Sequence, residues 1–209
     1  MCKSILTFSL ALLLCACAAG RVKQVPAQVH ALKKVTFFAG GKTQAAFKAT
    51  GTMDGLMTDG VVTVKKIGEE EFEIALLGGG LYKVMDVLLT AQGPVYRYLF
   101  KELDNALVRG RITQLLDLLF SDPGTYTGVA TKNGETRVSY KAPRAKEIFI
   151  YPQGAVYPAA ARTVTTLNSA DLVYGDYMPL SPDGEVQIPH ELVYKDGNIV
   201  LQMQLISLR

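Results

Sequence analysis

The sequence predicts a mainly β (α+β) fold in which a curved antiparallel sheet forms an incomplete β-barrel with a helical plug or lid. Three observations predict it. Apolar and polar residues alternate in many short runs from Ala45 onward, the period of a strand with one dry face. Turn dipeptides separate the runs at short spacing, so successive strands pair antiparallel. One leucine-rich segment in the middle of the chain has three- and four-residue steps instead. A sheet with a single dry face has to cover it with a second sheet, by curling on itself, or with a helix. About nine to eleven short strands and one long helix favour a curled sheet with the helix across its opening.

The elements follow in order. Residues 1–16 carry one charge, Lys3, and an apolar run over residues 5–14. That run is too short to cross about 30 Å of hydrocarbon at roughly 1.5 Å per residue, so it reads as a signal peptide. Residues 17–30 read as a tether containing Pro26, with room for a helical turn in residues 28–34, and residues 31–209 form one domain. Ala45, Phe47, Ala49, Gly51 and Met53 share one face of the first strand. Val62 and Val64 share a face of the next, and Phe72, Ile74 and Leu76 of the one after. Tyr96, Tyr98 and Phe100 form an aromatic stripe opposite Arg97 and Leu99. Ile199, Leu201, Met203 and Leu205 alternate in the last strand.

The most secure hairpins turn at Asn133-Gly134, between 128–132 and 135–141, and at Asp196-Gly197, between 191–195 and 198–208. Asp54-Gly55, Asp59-Gly60 and Pro182-Asp183-Gly184 mark further turns. The helix covers residues 102–120, with Leu103, Ala106, Leu107, Ile112, Leu115, Leu116 and Leu119 on its apolar side. Ser121-Asp122-Pro123-Gly124 stops it, and Gly110 either lies within one helix or divides it into two.

Composition excludes several function classes. With 209 residues, 49% of them apolar, the chain builds its own core without a disulfide or metal staple. Its 22 basic and 19 acidic residues give a net charge of +3 spread along the chain, which argues against a nucleic-acid partner. Gly41-Lys42-Thr43 imitates the end of a phosphate-binding loop, but Thr36 stands where that loop needs its first glycine. His30 and His190 are the only imidazoles, and the chain has no Gly-x-Ser-x-Gly elbow. Glu69-Glu70-Glu71 reads as a solvated turn rather than a calcium loop. No catalytic residue, metal site or cofactor is expected, and the protein is expected not to be an enzyme.

Leu14-Cys15-Ala16-Cys17 resembles a bacterial lipobox. The resemblance implies cleavage before Cys17 and lipid attachment on it. Cleavage before Cys15 would put bulky leucines at positions that take small residues, and secretory cleavage after Ala18 or Ala19 is a third register. All three cysteines lie in the first 17 residues. Acylation of Cys17 would therefore leave the domain without a thiol for disulfides, zinc, iron–sulfur clusters or nucleophilic catalysis. Ala18, rather than an aspartate, after the modified cysteine implies the outer membrane with the domain facing the periplasm. Several acyl chains hold a protein stably where one does not.

From Phe37 to Phe120 the order of features resembles the superfamily of bacterial lipoprotein carriers, LolA and LolB. The matching pieces are Phe47-Lys48-Ala49-Thr50-Gly51-Thr52-Met53, then Gly60-Val61-Val62-Thr63-Val64-Lys65-Lys66, then Phe72-Glu73-Ile74-Ala75-Leu76-Leu77-Gly78-Gly79-Gly80, and the leucine-rich helix with its Pro-Gly stop. Pro189-His190-Glu191-Leu192-Val193-Tyr194 and the final amphipathic strand also suit that fold. A lipid-anchored member resembles LolB, whose relatives receive acyl chains in an apolar cavity under a helical lid. The chain departs from the family in having no tryptophan. The resemblance also implies an apolar loop used in handing lipid to the membrane, and Leu56 and Met57, between two turn signals, either form it or fold back on the rim.

The side chains expected around such a cavity are Phe47, Val62, Val64, Phe72, Ile74, Leu76, Tyr96, Tyr98 and Phe100, with Leu115 and Leu119 from the helix. Each lines either ordinary core or a ligand cavity, because the two differ only in being filled. Two functions fit. One is a membrane-anchored binder of lipid or lipoprotein acyl chains, supplied by a periplasmic carrier or another envelope protein. The other is an accessory lipoprotein that uses the same fold, packed solid, to scaffold an envelope complex.

Overall fold

The computed structural model describes residues 26–53, 56–80, 82–181 and 184–209. The expected signal peptide, the expected lipobox with Cys17 and most of the expected tether lie outside them. The described chain is mainly β, with short helix α1 (Ala27–His30), long helix α2 (Ala106–Phe120) and a 3-10 turn at Lys101–Leu103. Strands β1 (Gln44–Met53), β2 (Leu56–Lys66), β3 (Phe72–Gly78), β4 (Lys83–Thr90) and β5 (Gly93–Leu99) form a meander before α2. Strands β6 (Thr125–Lys132), β7 (Glu135–Lys141), β8 (Lys146–Tyr151), β9 (Ala160–Val164), β10 (Ser169–Pro179), β11 (Gln187–Asp196) and β12 (Ile199–Leu208) form a second one after it.

The two meanders make one antiparallel sheet of 12 strands, slightly more than expected, in the order β5-β4-β3-β2-β1-β12-β11-β10-β9-β8-β7-β6. Strands β5 and β6 are the free edges, so the sheet is not closed. Laid flat, strands spaced about 4.8 Å apart would hold those edges roughly 50 Å from each other. Instead Arg144, in the β7–β8 turn, donates to the Gln92 carbonyl in the β4–β5 turn at 2.9 Å. The sheet is therefore rolled until the β4–β5 and β7–β8 turns touch.

The dry face alternates as the sequence requires. Phe72, Ile74 and Leu76 are buried in β3, and Ile199, Leu201, Met203 and Leu205 in β12. One departure concerns a glycine. Asp59-Gly60 is not a turn but part of continuous β2, which corrects the expectation. A Cβ on Gly60 would lie 1.9 Å from the Leu77 carbonyl oxygen, and one on Gly51 2.1 Å from that of Val200. Both glycines permit close approach of neighbouring backbones in the tightly rolled region.

Helix α2 is a single element through Gly110. Asn105 caps it by accepting the Val108 amide at 2.9 Å, and Pro123 lies just beyond its end. It buries Val108, Ile112, Leu115, Leu116, Leu118 and Leu119. Polar contacts hold it to both meanders. The Tyr96 hydroxyl of β5 donates to the Arg109 carbonyl at 2.7 Å, and the Tyr194 hydroxyl of β11 donates to the Arg111 carbonyl at 3.3 Å. Arg111 also lies 3.5 Å from buried Asp196, and Gln114 donates to Asn168 at 3.0 Å.

Candidate functional site

Between α2 and the sheet lies an internal cavity of about 50 Å³. Phe47, Val62, Val64, Ile74, Leu76, Leu115 and Leu119, seven of the side chains singled out from sequence, border it together. Val84 and Met85 of β4, Leu99 of β5, Ile112 and Leu116 of α2, and Leu192, Leu201 and Met203 complete much of the wall. No charged side chain lines it. The volume is about a third of the 150 Å³ at which an apolar cavity admits benzene. A long alkyl chain therefore enters only if a wall moves.

The aromatic candidates separate. Phe72 is buried beside the cavity in a cluster with Phe38 and Phe120, their ring centroids 5.3–6.2 Å apart. The expectation that Tyr96, Tyr98 and Phe100 share one face is corrected. In the β4–β5 ladder Val87 faces Tyr96 while the adjacent Asp86 faces Tyr98, so Arg97 is the extra residue of a bulge. One inserted residue reverses the faces that follow. Tyr96 turns inward onto α2, Tyr98 is 43% exposed on the outside, and Leu99, read as outward, is buried against the cavity. Phe100 is half-buried beside Tyr82, with centroids 6.1 Å apart. Burial pushes the Tyr96 phenol up from its ordinary pKa, against its bond to Thr113.

Leu56 and Met57 also move from their expected place. Their backbones belong to β2, opposite Met53 and Thr52, rather than to an extended loop between two turns. Their side chains lie outside the described residues.

At the C-terminal end of α2 the interior becomes polar. Alternation in β8 puts Glu147 on the same face as Phe149 and Tyr151, and all three are buried. Glu147 is only 2% exposed, and its Oε2 has no hydrogen-bond partner. Burial pushes its carboxyl up to about 8, with Lys34 pulling it back and Asp117 adding to the rise. Asp117 is also pushed up by burial, against the pull of Arg144 at 3.2 Å. Burial lowers the Lys34 ammonium, which donates to the Ser121 carbonyl and lies 3.9 Å from Asp122.

Two crevices reach this group. One, of about 400 Å³, runs along α2 past Tyr96, Thr113, Gln114, Arg144 and Thr163. The other, of about 220 Å³, joins Glu147, Asp117 and Arg144 to Phe72 and Phe120. Glu147 is not among the residues singled out from sequence, although its shared parity with Phe149 and Tyr151 is a usable signal. His30 is exposed and His190 half-buried at the start of β11. Among the described residues no three His, Cys, Asp or Glu side chains gather as a metal site.

No family model and no curated protein sequence matches the chain. The fold is similar to that of a LolA superfamily protein from Nitrosomonas europaea, at TM-score 0.56 and 11% identity, over 80% of this chain and 85% of the other. A DUF1329 family protein from Desulfovibrio piger aligns at TM-score 0.48 and 8% identity, over 80% of this chain and 85% of that one. A domain named for outer membrane lipoprotein sorting, from Vibrio parahaemolyticus, does so at TM-score 0.48 and 8% identity, over 80% and 84%. The first of these likenesses establishes that the unclosed, helix-bearing sheet is a LolA-like fold.

Proposed function

We propose that this protein is a non-enzymatic binder of lipid or lipoprotein acyl chains, anchored through Cys17 to the outer membrane and facing the periplasm. The observation that carries the reading is the uncharged cavity between α2 and the sheet, in a LolA-like fold. Acyl chains would leave water for side chains such as Phe47, Ile74 and Leu115, each buried methylene contributing about 0.8 kcal/mol. Helix α2 is the lid in this proposal. It covers the cavity and is joined to β5 by one tyrosine, so its displacement is the step that enlarges 50 Å³ into a chain-sized space. Release then needs only a competing apolar environment, the bilayer or a partner protein, without nucleotide or metal.

The smallness of the cavity favours a second reading, a packed accessory lipoprotein that scaffolds an envelope complex. Native mass spectrometry of the full chain carrying Cys17→Ser decides between them. Co-purifying lipid, lost in the folded Ile74→Asp variant, is the expected result for a carrier. A clean apo mass, with no uptake of an apolar fluorescent probe, would overturn the carrier reading and leave the scaffold.

A further inference from the structure

Glu147 is a buried acid without a donor, at the place where the apolar cavity gives way to solvent. A carboxyl oxygen taken out of water without a hydrogen bond is costly, so its retention calls for a donor. None of the neighbouring groups supplies one. Arg144 is committed to Asp117 and to the Gln92 carbonyl, and Lys34 to the Ser121 carbonyl. Thr163, opposite Glu147 in the β8–β9 ladder, makes no hydrogen bond to its Oε2.

The surrounding space defines what a donor would look like. The smaller crevice leads from Glu147 and Asp117 to Phe72 and Phe120, and Phe120 also borders the apolar cavity. A ligand lying along this path has its polar end at two acids and its apolar chain over Phe120. Because Arg144 already binds Asp117, a cationic head gains charge-assisted hydrogen bonds from the carboxyl oxygens that remain, while an anionic head has to compete with Asp117 for that guanidinium. We propose that the crevice at the end of α2 binds the primary ammonium end of an amphiphile, between Glu147 and Asp117, with its alkyl chain directed past Phe120 into the cavity. The proposal rests on the acyl-chain reading and adds to it the chemistry of the head.

The electrostatics agree with that geometry. Asp117 faces Glu147 from α2, Lys34 from the segment before β1, Arg144 from the β7–β8 turn and Glu70 from the β2–β3 connection, while Asp122 lies beside Lys34. Near neutral pH the empty site keeps a proton on Glu147, and an arriving ammonium converts it to a carboxylate and sends that proton to solvent.

Dodecylamine, dodecanol and dodecanoate share one chain and differ only in the head. Each is titrated, below its micelle concentration and near neutral pH, against an apolar fluorescent probe bound to the purified full-length protein. Dodecylamine is expected to displace the probe about tenfold more effectively than dodecanol, the equivalent of one charge-assisted hydrogen bond, with dodecanoate weakest. In Glu147→Gln the amine should fall to within about twofold of the alcohol, while the alcohol itself is unchanged. Should that variant melt early, Asp117→Asn takes its place with the same loss of preference expected. Equal binding of amine and alcohol, tighter binding of dodecanoate, or a preference that survives both substitutions would overturn the proposal and leave the carrier reading standing. If none of the three compounds competes, the carrier reading falls and the proposal falls with it.

Discussion

The two meanders wall the same interior with different chemistry. Strands β1–β4 present Phe47, Val64, Ile74, Leu76, Val87 and Leu89, side chains whose contacts are non-directional and exchangeable for those of another alkyl group. The interior of β8–β11 instead carries Glu147, Tyr151, Thr163, Tyr174 and Tyr194. Three tyrosine hydroxyls of this meander are engaged: Tyr151 donates to the Lys33 carbonyl at 3.4 Å, Tyr177 to that of Pro158 at 2.6 Å and Tyr194 to that of Arg111 at 3.3 Å. Burial pushes the phenols of Tyr151, Tyr174, Tyr177 and Tyr194 well above their ordinary range. Moving an aliphatic wall exchanges one set of dispersion contacts for another, whereas moving the tyrosine wall leaves buried polar groups unpaired. The first meander is thus the wall that can yield, and the second the one that holds position.

The largest expected effect tests the helix packed across the yielding wall. Leu115→Ala removes part of the helical contribution beside an existing void and should cost about 2–5 kcal/mol by chemical denaturation, while increasing uptake of an apolar probe. A cost below about 1 kcal/mol without added uptake would mean that the wall collapses onto the gap.

Glu147→Gln tests the polar wall through pH. The folded-state pKa of Glu147 is raised, to about 8 from an ordinary value of 4.5, so between those values the native state binds more protons than the unfolded one. Stability is therefore fullest below about pH 4.5 in this respect and declines as pH rises through about 8. Replacing the acid by its amide should abolish that slope and leave the variant more stable than the parent at alkaline pH by roughly 2–4 kcal/mol. Thermal melts of both proteins across that range check it, and parallel pH profiles would refute it.

The smallest effect concerns the tie that Tyr96 makes between α2 and the aliphatic meander's edge. Tyr96→Phe deletes the donor to the Arg109 carbonyl, which still accepts from Thr113 at 2.8 Å, so the cost should be about 1 kcal/mol or less. Probe uptake should nonetheless become faster in stopped-flow mixing. An unchanged rate would show that β5 does not restrain α2.

Much of this contrast was legible in the residues. Strict alternation exposed the aliphatic faces of β1, β3 and β12, and the leucine spacing exposed α2, because each pattern is local. What escaped depends on register. The extra residue at Arg97 exchanges the faces of Tyr98 and Leu99, and nothing in a short aromatic run announces a bulge. Similarly, Val84 and Met85 are consecutive and both buried, because the β3–β4 register shifts beside them and breaks the two-residue period. Glu147 escaped for another reason. A glutamate in a strand is ordinarily read as a solvent-facing residue, and only its parity with Phe149 and Tyr151 argues otherwise.

The strand order has a consequence for how the molecule comes into being. Hairpins β1 to β5 and β6 to β12 zip from near neighbours in the chain, but the middle of the sheet is the β1–β12 ladder, in which Ala45 faces Leu208 and Thr52 faces Val200. That ladder closes the longest loop in the fold and gains its reward only after the loop entropy has been spent, the kind of contact that slows folding. Until it forms, β1 and β12 are both naked edges open to other chains. The centre of the finished sheet is thus the most vulnerable edge of the unfinished one, and a folding chain needs protection at β1 until β12 arrives.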